Sequence, residues 1–569
     1  MNFSGTIDFK PKLVSALRHY SAARFKDDLV AGIVVGIVAL PLAIAFGIAS
    51  GVSPTVGLIT AIIGGFMVSA FGGNSVQIGG PTGAFIVIVY SIIMQFGLTG
   101  LAIATFMAGL ILVVMGLFHL GTVIKFIPYP IVVGFTAGIA LTIFSTQIND
   151  FFGLGLKDIP GEFIPKWGMY FRNFGNIHWP TLIVGLLSLA IIIVTPKVSR
   201  KLPGALLAII IVSAAVYVVT LYYPEFAVDT IGRRFGSMST DIPTPHGFEL
   251  NMTNINALLP SAFTIAVLCA IESLLSATVA DGVTGSRTNS NTELIGQGIA
   301  NLTVPFFGGI PVTGAIARTM TNITNGGRTP VAGIIHTAVL LLIFLFLMPL
   351  INEIPMACLA AVLIVVAYNM SAWRTVVGIF KAPKGDVSVL IVTFLLTVVF
   401  DLTIAIEIGL LLAVVLFLRR VTENTQIRVY GEQLDIAEGT ESTTHEVLDV
   451  ERGVSIYEID GPFFFGIATK FDEMMRTSMS EKPTVRIIRM RKVPFIDSTA
   501  IHNLEILIKS SQSEGIEIVL SGVNENVHKA LEHANVEQLI GERNICDHIT
   551  KAVALANNIA RQKLAATEK

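Results

Sequence analysis

The chemistry in this chain begins with an acid in the wrong solvent. Glu272 lies in the run Ala266–Ala277, whose other members are apolar or small, and Ser276 follows four residues later. On a helix the two share one face. Charges inside apolar segments are costly and mark functional positions by default. A carboxylate beside a hydroxyl suits a Na+ ligand pair. It also suits a proton carrier whose charged form is disfavoured by burial. A packing carboxyl, neutral or paired with an arginine, is the structural alternative. A second set of residues points to anions. Gly79–Gly80–Pro81–Thr82–Gly83 and Gly308–Gly309–Ile310–Pro311–Val312–Thr313–Gly314 each interrupt apolar sequence. A helix that starts at such a break leaves its first N–H groups without intrahelical partners and carries a partial positive charge there. Two such ends facing one another favour an anion, which glycine lets approach the backbone closely. Kinks and tight packing use the same residue types. Arg318 follows the second break by one turn. It adds positive potential near an anion, sits in a cytoplasmic vestibule or pairs with an acid. Phe46, five residues after Pro41, lines a cavity or packs, and Cys269 is a small buried hydrophobe.

These residues need membrane helices to position them. Apolar stretches of roughly spanning length recur near 29–50, 55–72, 78–95, 99–118, 124–147, 180–196, 204–223, 256–278, 291–306, 313–325, 330–350, 355–371, 386–401 and 403–418, fourteen in all. The third and tenth are too short or too rich in Gly and Pro to cross a bilayer as simple helices. Shifting the chain by 236 residues places Leu58 on Leu294, Ile63 on Ile299, Val68 on Val304 and Gly72–Gly73 on Gly308–Gly309. Seven spans per copy is odd, so the copies are expected in opposite orientations, an arrangement that points to a binding site near the midplane. The basic breaks at Lys197–Lys201, Arg374–Lys384 and Arg419–Arg420 fall on the side of the N-terminal tail, which predicts cytoplasmic termini. Asp401 and Glu407 flank the last break and are read as structural.

Composition supports two solvents in one chain. Only 14% of the 569 residues are charged and 53% are hydrophobic, against about 25% charged in soluble proteins. Residues 29–418 hold 15 Lys or Arg and 14 Asp or Glu, whereas 419–569 hold 41 charged residues. The near-zero net charge argues against nucleic-acid binding, and three cysteines without pairing or ligand spacing argue against a disulfide framework or structural zinc. No covalent catalytic set appears, so an enzyme is not expected. The tail alternates strands (Val454–Ile459, Ile516–Leu520) with helices (Ala468–Met475, Ala500–Ser510), the pattern of a small α/β domain. Asp497 is a good N-cap for the helix that follows it.

The run Ala39–Gly51, Gly79–Gly83, Glu272–Asp281, Glu293–Asn301 and Pro311–Arg318 together resemble the SulP family of anion transporters, bacterial relatives of the SLC26 family. The tail, above all Val493–Pro494–Phe495–Ile496–Asp497–Ser498–Thr499–Ala500, resembles a STAS domain. The resemblance implies an α-helical polytopic membrane protein with fourteen segments in a 7+7 inverted repeat, moving by an elevator mechanism, plus the C-terminal α/β domain. It divides the chain into a cytoplasmic region 1–28, a transporter domain 29–420, a linker with the first STAS strand at 421–450, the STAS domain at 451–560 and a tail at 561–569. Spans 1–4 and 8–11 form a core, and 5–7 and 12–14 a gate. It implies an anion site at Thr82, Gly83 and Ala84 with Thr313, Gly314 and Ala315, and Phe46 as the cavity aromatic. The coupling cation, Na+ or H+, falls on Glu272 and Ser276, with Gly314 added for a bound Na+, and no other cofactor is implied. Glu272 stands where a sodium-coupled bicarbonate member has Asp, and Leu42 where many animal members have Gln. Ser498 and Thr499 match the start of a helix at which the antagonist branch is phosphorylated. The resemblance further implies a homodimer in the bacterial inner membrane and a regulatory protein partner for the STAS domain.

The function expected is secondary active transport of sulfate, bicarbonate or a dicarboxylate. An uncoupled anion channel or exchanger, a nucleobase permease of the same fold and a signalling scaffold acting through the STAS domain are the alternatives.

Overall fold

The computed structural model describes residues 9–18, 20–122, 128–157, 159–198, 203–236, 244–248, 252–400, 402–430, 433–435, 447–477 and 483–567. Arg200, Lys201 and Asp401 lie outside them. The chain divides into two compact units between Ala413 and Val414.

The first unit is built from long apolar helices. They are α1 (Ala22–Ala49), α2 (Pro54–Phe71), α3 (Ile86–Leu117), α4 (Tyr129–Phe152), α5 (Trp179–Val198), α6 (Gly204–Tyr222), α7 (Met252–Thr284), α8 (Ser290–Thr303), α9 (Ile316–Thr324), α10 (Pro330–Phe346), α11 (Met356–Met370) and α12 (Lys384–Val399). Helix α13 (Leu402–Asn424) leads into the second unit. Among the described residues, eight helical stretches are long and apolar enough to cross a membrane. Each apolar stretch read from the sequence overlaps a helix among the described residues, the third and tenth starting on short strands instead. The third and fourth join into one, α3, in which Gly97 breaks the helical path with φ 68°. Helix α1 starts earlier than its apolar run, because Ser21 caps it by accepting from the Arg24 N–H. That extension carries Asp28 into the interior. It accepts from Tyr20 Oη at 3.0 Å and from the backbone N–H groups of Arg328 and Thr329 ahead of α10.

Packing sorts these helices into two groups. Helices α1, α2 and α3 pack on α7, α8, α9 and α10. Helix α4 packs on α11 and α12, and α5 on α6 and α11. Small residues set the closest approaches: a Cβ at Gly57 of α2 would meet the Ala43 carbonyl of α1. At the centre of the first group two short strands cross. β1 (Gly79–Gly80) pairs antiparallel with β2 (Thr313–Gly314), with Gly79 opposite Gly314 and Gly80 opposite Thr313. A helix start follows each strand, the 3-10 turn Gly83–Phe85 leading into α3, and α9.

The second unit is a five-stranded sheet. β3 (Gln426–Tyr430) runs antiparallel to β4 (Val454–Asp460), which continues in parallel through β5 (Val485–Lys492) and β6 (Glu517–Ser521) to β7 (Ile545–Cys546). Two apolar clusters form on it. One gathers Ile488, Leu504 and Leu520 around helices Phe465–Thr477 and Ser498–Ser513; the other packs Ile487 and Val519 on helix Ile549–Thr567. The alternation of Ile487 and Ile488 between the clusters is the two-residue period of a strand buried on both faces. Leu418 and Val421 pack against the first cluster, so the end of α13 belongs with the soluble unit, which begins at Val414.

Candidate functional site

The crossing of β1 and β2 is held by side chains reaching from one half of the sequence to the other. Thr82 caps the turn Gly83–Phe85, its Oγ1 accepting from the Ala84 N–H at 3.0 Å. The same hydroxyl donates to Glu272 Oε2 at 2.9 Å, across 190 residues of sequence. The other oxygen of Glu272 has no hydrogen-bond partner among the described residues. The second helix start is built differently. Ala315 stands at its N-cap with no side-chain cap, and its N–H is taken by the Ile78 carbonyl at 2.9 Å. The first intrahelical bond runs from the Thr319 N–H to the Ala315 carbonyl. The N–H groups of exposed Ile316 and Ala317 therefore precede it. Of the residues expected to bind an anion, Ala84 and Ala315 thus have their N–H groups engaged within the protein. Gly83 and the first turn of α9 are the places where donors remain.

The remaining expected residues sort as follows. Thr313 is fully buried and donates through Oγ1 to the Cys269 carbonyl at 2.9 Å. Gly314 is glycine because a Cβ would collide with the Gln77 amide, whose Nε2 donates to Glu293 at 2.9 Å. Phe46 is buried and within reach of Gly83. A Cβ at Gly83 would come within 3.0 Å of Ile143 on α4 and of Met370 on α11, and 3.5 Å of the Phe46 ring. The helix start is therefore covered by one residue of its own group and two of the other. Ser276 does not turn to Glu272. Its Oγ donates to Thr319 Oγ1 at 3.2 Å, and Thr319 also accepts from the Ile78 N–H at 3.1 Å. Of the pair read as a cation site, Glu272 thus bonds to Thr82 and Ser276 to Thr319, and the two make no hydrogen bond to each other.

Arg318 corrects the vestibule reading. It is 2% exposed and its guanidinium donates to the carbonyls of Gly79 and Pro81. Gly80, with φ 150°, leaves the space that Arg318 Nη1 occupies. Glu272 is an electrostatic partner of this arginine. Arg318 thus adds positive charge beside the crossing while bracing the first break from the second half.

Four further clamps escaped the sequence reading. Glu293, fully buried on α8, accepts from the N–H groups of Gly73 and Asn74 at 2.8 and 3.0 Å and from Gln297 at 2.7 Å. Asn301 grips Val312 on both sides, donating to its carbonyl and accepting from its N–H. Asn322 donates to the Val76 carbonyl at 2.8 Å, and Thr60 accepts from Ile310 at 2.9 Å. Glu293 carried a signal, an acid in an apolar segment. Ile143 and Met370 carried none, since apolar residues in apolar helices do not announce what they face. In the soluble unit Asp497 caps its helix as expected, accepting from Ala500 at 2.8 Å and also from Phe465 at 3.0 Å. Ser498 and Thr499 are exposed. Among the described residues no three His, Cys, Asp or Glu side chains gather as a metal site.

Comparison with known proteins decides the identity of this arrangement. Residues 25–393 match the sulfate permease family and residues 447–552 the STAS domain. The chain belongs to the sulfate permease family. It is a multi-pass membrane transporter with a C-terminal STAS domain, not an enzyme. It is 41% identical over 531 residues to "Putative sulfate transporter YvdB" of Bacillus subtilis, covering 93% of this chain and 97% of that one. It is 30% identical over 490 residues to the bicarbonate transporter BicA of Picosynechococcus, covering 84% and 85%. Among solved structures, the transporter superimposes on SLC26A9 with TM-score 0.85 at 18% identity, covering 97% of this chain and 93% of that one. The transmembrane domain of a cyanobacterial BicA matches with TM-score 0.59 at 28% identity, over 69% of this chain and 98% of that one.

Proposed function

We propose that this transporter is a secondary active carrier of a small oxyanion, sulfate or bicarbonate, across the bacterial inner membrane, coupled to a cation through Glu272. The observation that carries the reading is the Thr82–Glu272 hydrogen bond. It ties the acid to the residue that caps the first broken helix, so that neutralising Glu272 alters the donors around an anion at Gly83 and the α9 start. Thr82, Gly83 and Ala84 with Thr313, Gly314 and Ala315 frame that anion site, and Phe46 lines it. Arg318 supplies fixed positive charge, which an isolated anion needs in a low-dielectric setting. Either a proton or Na+ suits Glu272. The Ser276 hydroxyl donates to Thr319, which leaves its oxygen lone pairs available to a cation beside Gly314 and the carboxylate. The names of YvdB and BicA support sulfate and bicarbonate as the first anions to try.

The two helix groups support an elevator movement, in which α1–α3 with α7–α10 shift against α4–α6 with α11 and α12, to which the family resemblance adds α13. Ile143 and Met370 cover Gly83 from the second group and would uncover it on that shift. Both termini are assigned to the cytoplasm, the protein to a homodimer, and Ser498 and Thr499 to regulation, because both hydroxyls are exposed on a capped helix start. Proteoliposome uptake of labelled sulfate and bicarbonate, with pH and Na+ gradients imposed separately, tests the coupling. Glu272→Gln is expected to abolish gradient-driven accumulation while anion exchange continues. Accumulation equal to the parent protein's would overturn the assignment.

A further inference from the structure

A cavity of about 690 Å³ lies between the two helix groups, lined by none of the crossing's residues 79–85 or 313–318. One wall is the end of α1 and the first turns of α3, the helix that begins at the proposed anion site. The other wall is α4 together with the short helix Phe163–Asn173. Two polar groups on that short helix face this cavity without a partner. Lys166 is 5% exposed, and its ammonium has no hydrogen bond or ion pair among the described residues. Tyr170, one turn later on the same helix face, is fully buried; its hydroxyl makes no hydrogen bond among the described residues and has Asp150 and Tyr90 as electrostatic neighbours.

The other charges lining the cavity are accounted for. Asp150 accepts from Arg234 Nη1 through both oxygens at 3.0 Å, and Arg234 also holds Asp229 at 2.8 Å. Glu162 is exposed and makes no ion pair with Lys166. Tyr90 also lines the space. What remains unanswered is an ammonium and a phenolic hydroxyl, both able to donate. Burying a charge without a partner is costly, and burial alone holds the Lys166 ammonium below the usual lysine value. A negatively charged, acceptor-only ligand in this cavity answers the ammonium and offers the hydroxyl the acceptor it lacks.

We propose that Lys166 and Tyr170 form a second anion site, a docking station for a free oxyanion on the face that the proposed topology places outside. It stands separate from the crossing and delivers the anion along the shared wall of α1 and α3. That this anion is the transported one rests on the proposed function, but its binding does not. The first test is therefore independent of transport. Full-length protein in neutral detergent without added lipid is treated with an amine-acylating reagent, and modification at Lys166 and at Lys157 is followed by peptide mass. Sulfate, balanced for ionic strength with gluconate, is expected to slow modification of Lys166 about tenfold, as for a charge-assisted hydrogen bond, and to leave Lys157 unchanged. Tyr170→Phe should weaken that protection. Because the ammonium titrates below the ordinary lysine range, protection should also fade at a correspondingly lower pH.

In proteoliposomes, Lys166→Gln should raise the half-saturation concentration for sulfate presented to that face, and Lys166→Arg should restore it. Lys166 modification that ignores sulfate overturns the site, even if transport is normal. Protection that appears only in membranes containing phosphatidylglycerol overturns it too, by assigning the donors to a lipid headgroup. Protection without transport of sulfate would sustain the site and count against the proposed function instead.

Discussion

The two helix starts at the centre of the membrane unit look alike in sequence and differ in how they are finished. The first carries its own cap: Thr82 satisfies the Ala84 N–H and spends its proton on Glu272. The second has Ala315 at the same place and no side-chain cap. An N-terminus that lacks a cap keeps donors for something else. The repeat therefore supplies two helix dipoles, and the residue at each cap decides whether that end is closed by the protein or open to an anion. The pair also teaches how a break survives in apolar surroundings. Each interrupted strand takes its missing hydrogen bonds from the other half, through Arg318, Asn322 and Thr319 on one side and Thr60 on the other.

That contrast can be broken in four places, starting with the largest effect. Arg318→Ala leaves two buried carbonyls unpaired and should lower stability by roughly 2–5 kcal/mol, abolishing transport. Thermal unfolding in detergent checks it, and an unchanged midpoint would show that the guanidinium is not the brace. Thr82→Ala removes cap and acid partner together. A loss of about 1–2 kcal/mol is expected with loss of coupled accumulation, while Thr82→Ser should retain both. Asp497→Ala tests the same capping chemistry in water. Hydrogen exchange along Ser498–Ser513 should accelerate by an amount equivalent to about 1 kcal/mol, with transport intact. Finally, Ala315→Ser gives the second start the cap it lacks. It should gain about 0.5 kcal/mol and weaken anion binding, because the new hydroxyl competes for the open N–H groups. Stronger binding in this variant would refute the asymmetry.

Much of the architecture was legible beforehand. Apolar runs gave the helices because length and hydropathy are properties of contiguous residues, and the Gly/Pro interruptions marked where helices begin inside the membrane unit. Asp497 was legible as a cap for the same local reason. The partners of Glu272, Ser276 and Arg318 were not. Spacing put Ser276 on the face of Glu272, yet the hydroxyl found Thr319, 43 residues away. Glu293 stood in plain view as a buried acid, but its acceptor role toward Gly73 and Asn74 spans more than 200 residues.

By itself the sequence determined the division into an apolar and a polar unit, the positions of the breaks and membership in a transporter family, since each is written in composition, period or motif. Only the tertiary structure decided which side chain completes which break, that Arg318 is a brace, and that Lys166 and Tyr170 share a cavity. Hydrogen bonds and burial act over a few ångströms, and which residues come that close is set by the packing of helices far apart in the chain.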